Sequence, residues 1–246
     1  MLSGRFLQAW CESDAIAARG TPDPHRFWDG LPFTGKRVLV RCLHGFGDAI
    51  QFVRYAQLLR REASRVIVQT HPELVPLIRG AACVDEAITW SDEDAVEWDQ
   101  QIEVMELPRA FRTTAATIPR DIPYLSLPPA ALKRAALGCR PGPKPRIGLQ
   151  WGSSGWNPER SMHLDDLQPL IQFPEFEFYT LQHGPYRDEL QSMNLACRVH
   201  DISTPEIVDA AASLLHLDLL ITVDTMLAHL AGALGKPVWL MLHYEA

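Results

Sequence analysis

Hydrophobic and polar positions along the chain fall into two alternating series. Short apolar runs rich in β-branched residues read as strands buried on both faces. The segments between them carry apolar residues at helical spacing. The first run spans 37–42, and the helix after it extends to about residue 62, with Ala49, Phe52, Val53, Ala56 and Leu59 as its buried face. Strand 66–70, helix 72–79 with Pro72 at a favoured first position, and strands 86–89 and 101–105 complete this series. Ahead of it lie a helix at 4–18 and a turn-rich lead-in anchored by Trp28. Segment 91–100 reads as an acidic loop and 119–129 as proline-punctuated and extended.

Residues 128–145, PPAALKRAALGCRPGPKP, read as a linker holding a short helix at 130–137. The second series then runs through strand 146–151, a polar loop at 152–162, and helix 164–172 with Asp165 and Asp166 in its first turn. Strand 177–182, helix 186–193, strand 198–202, and helix 205–217 capped by Thr204 follow. The pattern predicts an α/β fold of two doubly wound, Rossmann-like units facing a cleft, at residues 1–135 and 146–246.

The last stretch, LLITVDTMLAHLAGALGKPVWLML at 219–242, is the most informative. It predicts a buried strand, a polar turn, a helix with Leu227, Leu230, Ala231 and Leu234 inward, and a second buried strand at 237–242. Gly235 and Pro237 end the helix. Asp224 and Thr225 suit a helix cap. They equally suit an anion site, in which the first amides of Thr225, Met226 and Leu227 receive a phosphate beside Asp224 and His229.

A net charge of −7 argues against nonspecific nucleic-acid binding. No apolar run approaches a membrane span, and the first ten residues lack a signal peptide's apolar core. Five scattered cysteines with no Cys-x-x-Cys pair fit a reducing cytoplasm rather than a disulfide framework or a zinc site. A peripheral membrane contact is left open.

The turn after the first strand, His44-Gly45-Phe46-Gly47-Asp48, resembles a dinucleotide fingerprint only in part. Its third glycine is replaced by Ile50, and no acidic residue follows the second strand at the usual place, so NAD binding is discounted. Gly45 and Gly47 are expected to permit a tight turn. Asp48 reads either as a helix cap or as a base at the mouth of the cleft. His44 and Gln51 are acceptor-side candidates.

Taken together, HGFGDAIQFVRYAQLL, HPELVPLI, IGLQWGSSGWNPERSMHLDDLQPL, FYTLQHG and LDLLITVDTMLAHLAGALGKPVWLML resemble glycosyltransferase family 9. That group includes the heptosyltransferases of lipopolysaccharide synthesis. The resemblance is closer to the glycosyltransferase domains that follow tetratricopeptide repeats in bacterial proteins. It implies a GT-B fold and an inverting, metal-independent transfer from a nucleotide-diphosphate sugar, which acts as co-substrate with no further cofactor. The acceptor is a glycan or a protein side chain. The resemblance places the catalytic base on Asp48. It places donor binding on Asp224, Thr225, Met226, Leu227 and His229, the basic residue on Arg160 with Lys144 as the alternative, and the strand-ending glutamine on Gln182. Met226 stands where the family has a small residue. The family also continues beyond the position of Ala246, which implies a C-terminally shortened fold. Two alternatives stay open: a non-catalytic nucleotide- or glycan-binding module, and a sugar-nucleotide epimerase of related fold.

Overall fold

A computed structural model describes residues 4–20, 25–138, 142–153, 155, 157–193, 195 and 198–243. Part of the lead-in at 21–24, the linker residues 139–141, and Ser154 and Trp156 of the polar loop lie outside the described residues. Two compact units divide the chain, Met1–Tyr124 and Leu125–Ala246.

The first unit contains α1 (Phe6–Ala18), β1 (Arg37–Arg41), α2 (Phe46–Phe52), α3 (Ala56–Leu59), β2 (Arg65–Gln69), α4 (Val75–Ile78), β3 (Glu86–Ile88), β4 (Gln100–Glu103) and α5 (Leu107–Ala110). Its four strands are parallel, in the order β3-β2-β1-β4. The central residues Val38, Leu39, Val40, Val66, Ile67 and Val68 are almost fully buried, as a sheet covered on both faces requires. The helix expected to run unbroken to about residue 62 is interrupted by a 3-10 turn, Val53–Tyr55. Val53, Tyr55 and Ala56 are all buried, a set that one α-helical stripe cannot face inward together. The lead-in is fastened by Glu106, whose Oε2 accepts from the Phe27 and Trp28 amides at 2.9 and 3.1 Å. Trp28 also stacks on Phe33 at 5.8 Å.

The second unit contains α6 (Pro129–Gly138), β5 (Arg146–Gln150), α7 (Leu164–Ile171), β6 (Glu177–Thr180), α8 (Glu189–Ser192), β7 (Val199–Asp201), α9 (Ile207–Leu215), β8 (Leu219–Val223), α10 (Met226–Ala233) and β9 (Val238–Met241). Its five strands are parallel, in the order β7-β6-β5-β8-β9. The sequence reading left α6 in a linker. Here it belongs to the second unit, with Ala131 and Ala135 packed on Ala212 of α9, where small side chains allow close approach. α9 starts after Glu206 rather than at Thr204. The helix expected at 186–193 is a 3-10 turn, Pro185–Asp188, followed by one turn of α-helix.

β9 departs from the expected buried strand, with Trp239 64% and Leu240 44% exposed. The reason is topological. Among the described residues β9 pairs with β8 alone and forms the sheet's edge, so its apolar composition does not report burial.

Candidate functional site

Each sheet reverses its strand order once. In the first unit the chain moves outward through β1, β2 and β3, then places β4 on the other side of β1. In the second it moves through β5, β6 and β7, then places β8 and β9 on the other side of β5. Ligands of open α/β sheets bind at such switch points, beyond the carboxyl ends of the two diverging strands. The candidate residues gather at both.

At the switch point of the second unit, β8 delivers Asp224 and Thr225 to the start of α10, and Thr225 is the N-cap residue. Its hydroxyl does not cap the helix. Thr225 Oγ1 donates instead to Gln150 Oε1 at 2.7 Å, and Thr222 Oγ1 reaches the same oxygen at 3.1 Å. The first-turn amides of Met226 and Leu227 are therefore left without a side-chain acceptor, and they carry the positive end of the helix dipole. Beside them Arg160 Nη2 forms an ion pair with Asp224 Oδ2 at 2.8 Å and also donates to the Asp224 carbonyl. His229 Nε2 lies 4.0 Å from Asp224 Oδ1. Asp224, Arg160 and His229 are all partly exposed, so the group can meet a ligand.

Arg160 is positioned by its loop. It ends a 3-10 turn, Pro158–Arg160, whose cap Asn157 accepts from the Glu159 amide at 3.1 Å. Ser161 Oγ accepts from the Ser153 amide at 2.9 Å, closing the loop on itself. Gly152 is needed where the loop leaves β5, because a Cβ there would stand 2.2 Å from the Tyr186 ring.

Gln182 is 2% exposed, and its amide is spent within the unit. Oε1 accepts from Trp151 and Gly152 at 3.2 and 2.9 Å, and Nε2 donates to the carbonyls of Gly152 and His183 at 3.2 and 2.8 Å. These four bonds use its usual capacity. Gln182 thus ties the β5 loop to the end of β6 and does not join the Asp224 group. Lys144, the alternative cation, donates to the Pro174 carbonyl at 2.7 Å, away from that group.

At the switch point of the first unit, Gly45 is the N-cap of α2 and Asp48 its third residue. Asp48 is therefore not the N-cap expected of it; its Oδ2 instead reaches back to accept from the Gly45 amide at 3.2 Å, the N3 half of a capping box. The conformational freedom expected of Gly45 is not used: its φ of −67° and ψ of 162° suit any residue, and Gly47 is also absent from the positive-φ set. His44 is partly exposed and lies 5.3 Å from His25, ring to ring. Gln51 is half-buried on α2, three residues beyond Asp48.

Two residues of this group escaped the sequence reading, Glu103 and Glu106. Glu103 closes β4 and is 1% exposed. Its Oε2 accepts from the Met105 amide at 2.7 Å, while Oε1 is buried without a hydrogen bond, 3.9 Å from His44 Nε2. Burial pushes its carboxyl up to about 7. The charges of Glu106 and Asp48 add to the shift, while the nearby amides of Met105 and Leu43 oppose it. The available signal was a carboxylate ending the otherwise buried pattern of Gln-Gln-Ile-Glu.

Among the described residues no group of three or more His, Cys, Asp or Glu is placed to hold a metal ion, and no helix is long and apolar enough to cross a membrane.

No family model matches the chain. Protein FlbA of Caulobacter vibrioides is 24% identical over 97% of this chain and 46% of its own length. The chain therefore spans about half of that curated relative. Among solved structures, a glycosyl transferase of family 9 from Veillonella parvula superposes with a TM-score of 0.67 at 13% identity, covering 85% of this chain and 81% of that one. The chain has the fold of a family 9 glycosyltransferase. The ADP-heptose lipopolysaccharide heptosyltransferase II of E. coli shares that fold with a TM-score of 0.62 at 14% identity, covering 83% of this chain and 84% of its own. On this fold the basic, amide-lined switch point belongs to the second unit and the acidic one to the first.

Proposed function

We propose that this protein is a glycosyltransferase that moves a sugar from a nucleotide-diphosphate donor to a hydroxyl of a glycan or protein acceptor. The supporting observation is the Arg160–Asp224 pair beside the first turn of α10, which the Thr225 side chain does not cap. A diphosphate there receives the Met226 and Leu227 amides, the helix dipole and a guanidinium fork. Asp224 orients that fork before the donor arrives. His229, one turn into α10, adds an imidazole on the same side. Gln182 contributes indirectly by holding the loop that carries Arg160.

The transfer is inverting and needs no metal in this scheme. Asp48 takes the proton of the acceptor hydroxyl as its oxygen bonds to the anomeric carbon. The bond from that carbon to the phosphate oxygen breaks, and its electron pair leaves with the diphosphate. Charge grows on the leaving group, where Arg160 and the amides stabilise it. The E. coli neighbour named for ADP-heptose makes ADP-sugars the first donors to try.

The test is a thermal-shift series with ADP-, UDP-, GDP- and dTDP-sugars, since a bound donor stabilises the folded state by mass action. One nucleotide should raise the melting temperature in a saturable way, and an Arg160→Ala variant should lose that response. No response to any of the four overturns the reading. Saturable binding with no transfer in any acceptor assay would instead favour a binding module.

A further inference from the structure

We propose that Phe46, His71 and Trp90 form a shelf on which a sugar ring of the acceptor stacks, and that this acceptor is a glycan without anionic groups. The shelf's part in transfer rests on the glycosyltransferase reading; its binding of a glycan does not.

The topology lines the rings up. β1, β2 and β3 are consecutive neighbours in the first sheet, and Phe46, His71 and Trp90 follow their carboxyl ends. Neighbouring strands lie about 4.8 Å apart. The ring centres repeat that spacing, with His71 5.0 Å from Phe46 and 4.5 Å from Trp90. The rings meet at 60° and 67°, edge against face, so none lies flat over another. Trp90 is 40% exposed and the His71 side chain 39%, while Phe46 is partly buried. The row ends in the first turn of α2, which also carries Asp48.

The outer rings are fixed in place. Trp90 opens a 3-10 turn, Trp90–Ala95, in which the Thr89 amide and hydroxyl donate to Asp92 Oδ2 at 3.1 and 2.7 Å. Glu93 of the same turn accepts from Arg41 Nη1 at 2.9 Å and from Gln69 Nε2 at 3.0 Å, which pins the turn to the ends of β1 and β2. His71 Nδ1 lies 3.1 Å from Glu73 Oε2, which sets the plane of its ring. A pinned turn that only closed the sheet would bury its indole. Exposed rings rimmed by polar groups instead mark a ligand surface.

A sugar suits this surface. The face of an aromatic ring carries negative partial charge and attracts the polarised C–H groups on one side of a pyranose. The hydroxyls around that pyranose meet the rim formed by Glu73, Ser91 and Asp92. Carboxylates outnumber cations there: Asp92 and Asp94 share the Trp90 turn, Glu73 contacts His71, and Arg79 is the cation whose charge acts on Asp92. Phosphate, uronate and other acidic groups are therefore disfavoured, and with them a nucleotide that could stack its base. A serine or threonine side chain offers a hydroxyl but no C–H face broad enough for the row.

The experiment presents the labelled full chain to an array of neutral, amino-sugar and acidic glycans, with hydroxyl-bearing peptides on the same surface. Neutral or amino-sugar glycans should be retained. Trp90→Ala should weaken that retention about tenfold, His71→Ala about threefold, and Trp90→Phe, which keeps a ring, less than either. Trp239→Ala removes a more exposed indole at the edge of the other sheet and should change nothing. No retention, retention of acidic glycans or peptides alone, retention insensitive to Trp90→Ala, or an equal loss in Trp239→Ala overturns the proposal. Donor-induced thermal stabilisation, which Trp90→Ala should keep, separates the two readings. A donor response without Trp90-dependent glycan binding removes the shelf alone. Trp90-dependent glycan binding without any donor response removes the transferase reading alone.

Discussion

The two units solve the same geometric problem with opposite chemistry. Both are open parallel sheets with one reversal of strand order, and both collect polar residues at the reversal. In the first unit those residues are Asp48, Glu103 and Glu106 with His44, a surplus of proton acceptors. In the second they are Arg160, the Thr225 turn and the start of α10, a surplus of hydrogen-bond donors. The difference lies in how each turn satisfies its helix. Asp48 caps α2 with its own carboxylate, which brings negative charge to that helix start. Thr225 gives its hydroxyl to Gln150, which leaves the α10 amides for something else. One topology thus yields a carboxylate-rich turn in the first unit and an uncapped helix start beside a guanidinium in the second.

That contrast breaks most sharply if one unit can be disabled without the other. Asp48→Asn keeps a capping side chain but removes the proposed base. Transfer should fall by about 10²–10⁴-fold, measured as initial rate, with the donor dissociation constant unchanged. A matching loss of donor affinity would erase the division of labour. Arg160→Ala should do the reverse. It should weaken donor binding by roughly 1.5–3 kcal/mol, the worth of a hydrogen bond to a charged group, read by calorimetry. It should leave the Glu103 titration untouched.

Stability sharpens the same comparison. Gly152→Ala drives a methyl into the Tyr186 ring beside the loop that carries Arg160. It should cost about 1–3 kcal/mol, seen as a lower melting temperature with the first unit's titrations intact. Glu103 gives the first unit a pH signature. Its carboxyl rises from an ordinary 4.5 to about 7 in the folded state, so the folded protein binds the extra proton between those values. The favourable contribution is complete below about pH 4.5 and is lost as pH rises towards 7. Measured by denaturant unfolding, the parent should lose stability relative to Glu103→Gln across that window, by about 3 kcal/mol. The difference should stay level above it. A flat difference from pH 4 to 8 would remove Glu103 from the argument.

Reading the chain by period located the elements that both sites need. The run 219–223 is the observed β8 to the residue, Gly235 adopts the positive φ of a helix terminator, and Leu227, Leu230 and Ala231 face inward as spaced. These features are local: β-branched runs, helical spacing and a glycine past the last turn act within a few residues. Asp224, Thr225 and Asp48 could be singled out because each sits at a strand-to-helix turn, where side chains are free to meet a ligand; Arg160 came only from the resemblance to family 9. Gln182 shows the limit. Its position at a strand end is the same kind of signal, yet its four hydrogen bonds run to backbone contributed by two different strand ends. β9 shows another limit. An apolar, β-branched strand reads as buried, and its place at the sheet edge exposes Trp239 regardless.

Sequence alone determined the alternation of strands and helices, the doubly wound class, and the residues standing at the ends of strands. Only tertiary structure decided which strand ends became neighbours. Strand order depends on pairing between segments far apart in the chain, and β1 beside β4, like β5 beside β8, is invisible to any short window. That pairing set Glu103 against His44 and gave the Thr225 hydroxyl to Gln150. The chemistry of both sites follows from it, because a buried carboxylate and an uncapped helix acquire their properties from what the fold places beside them.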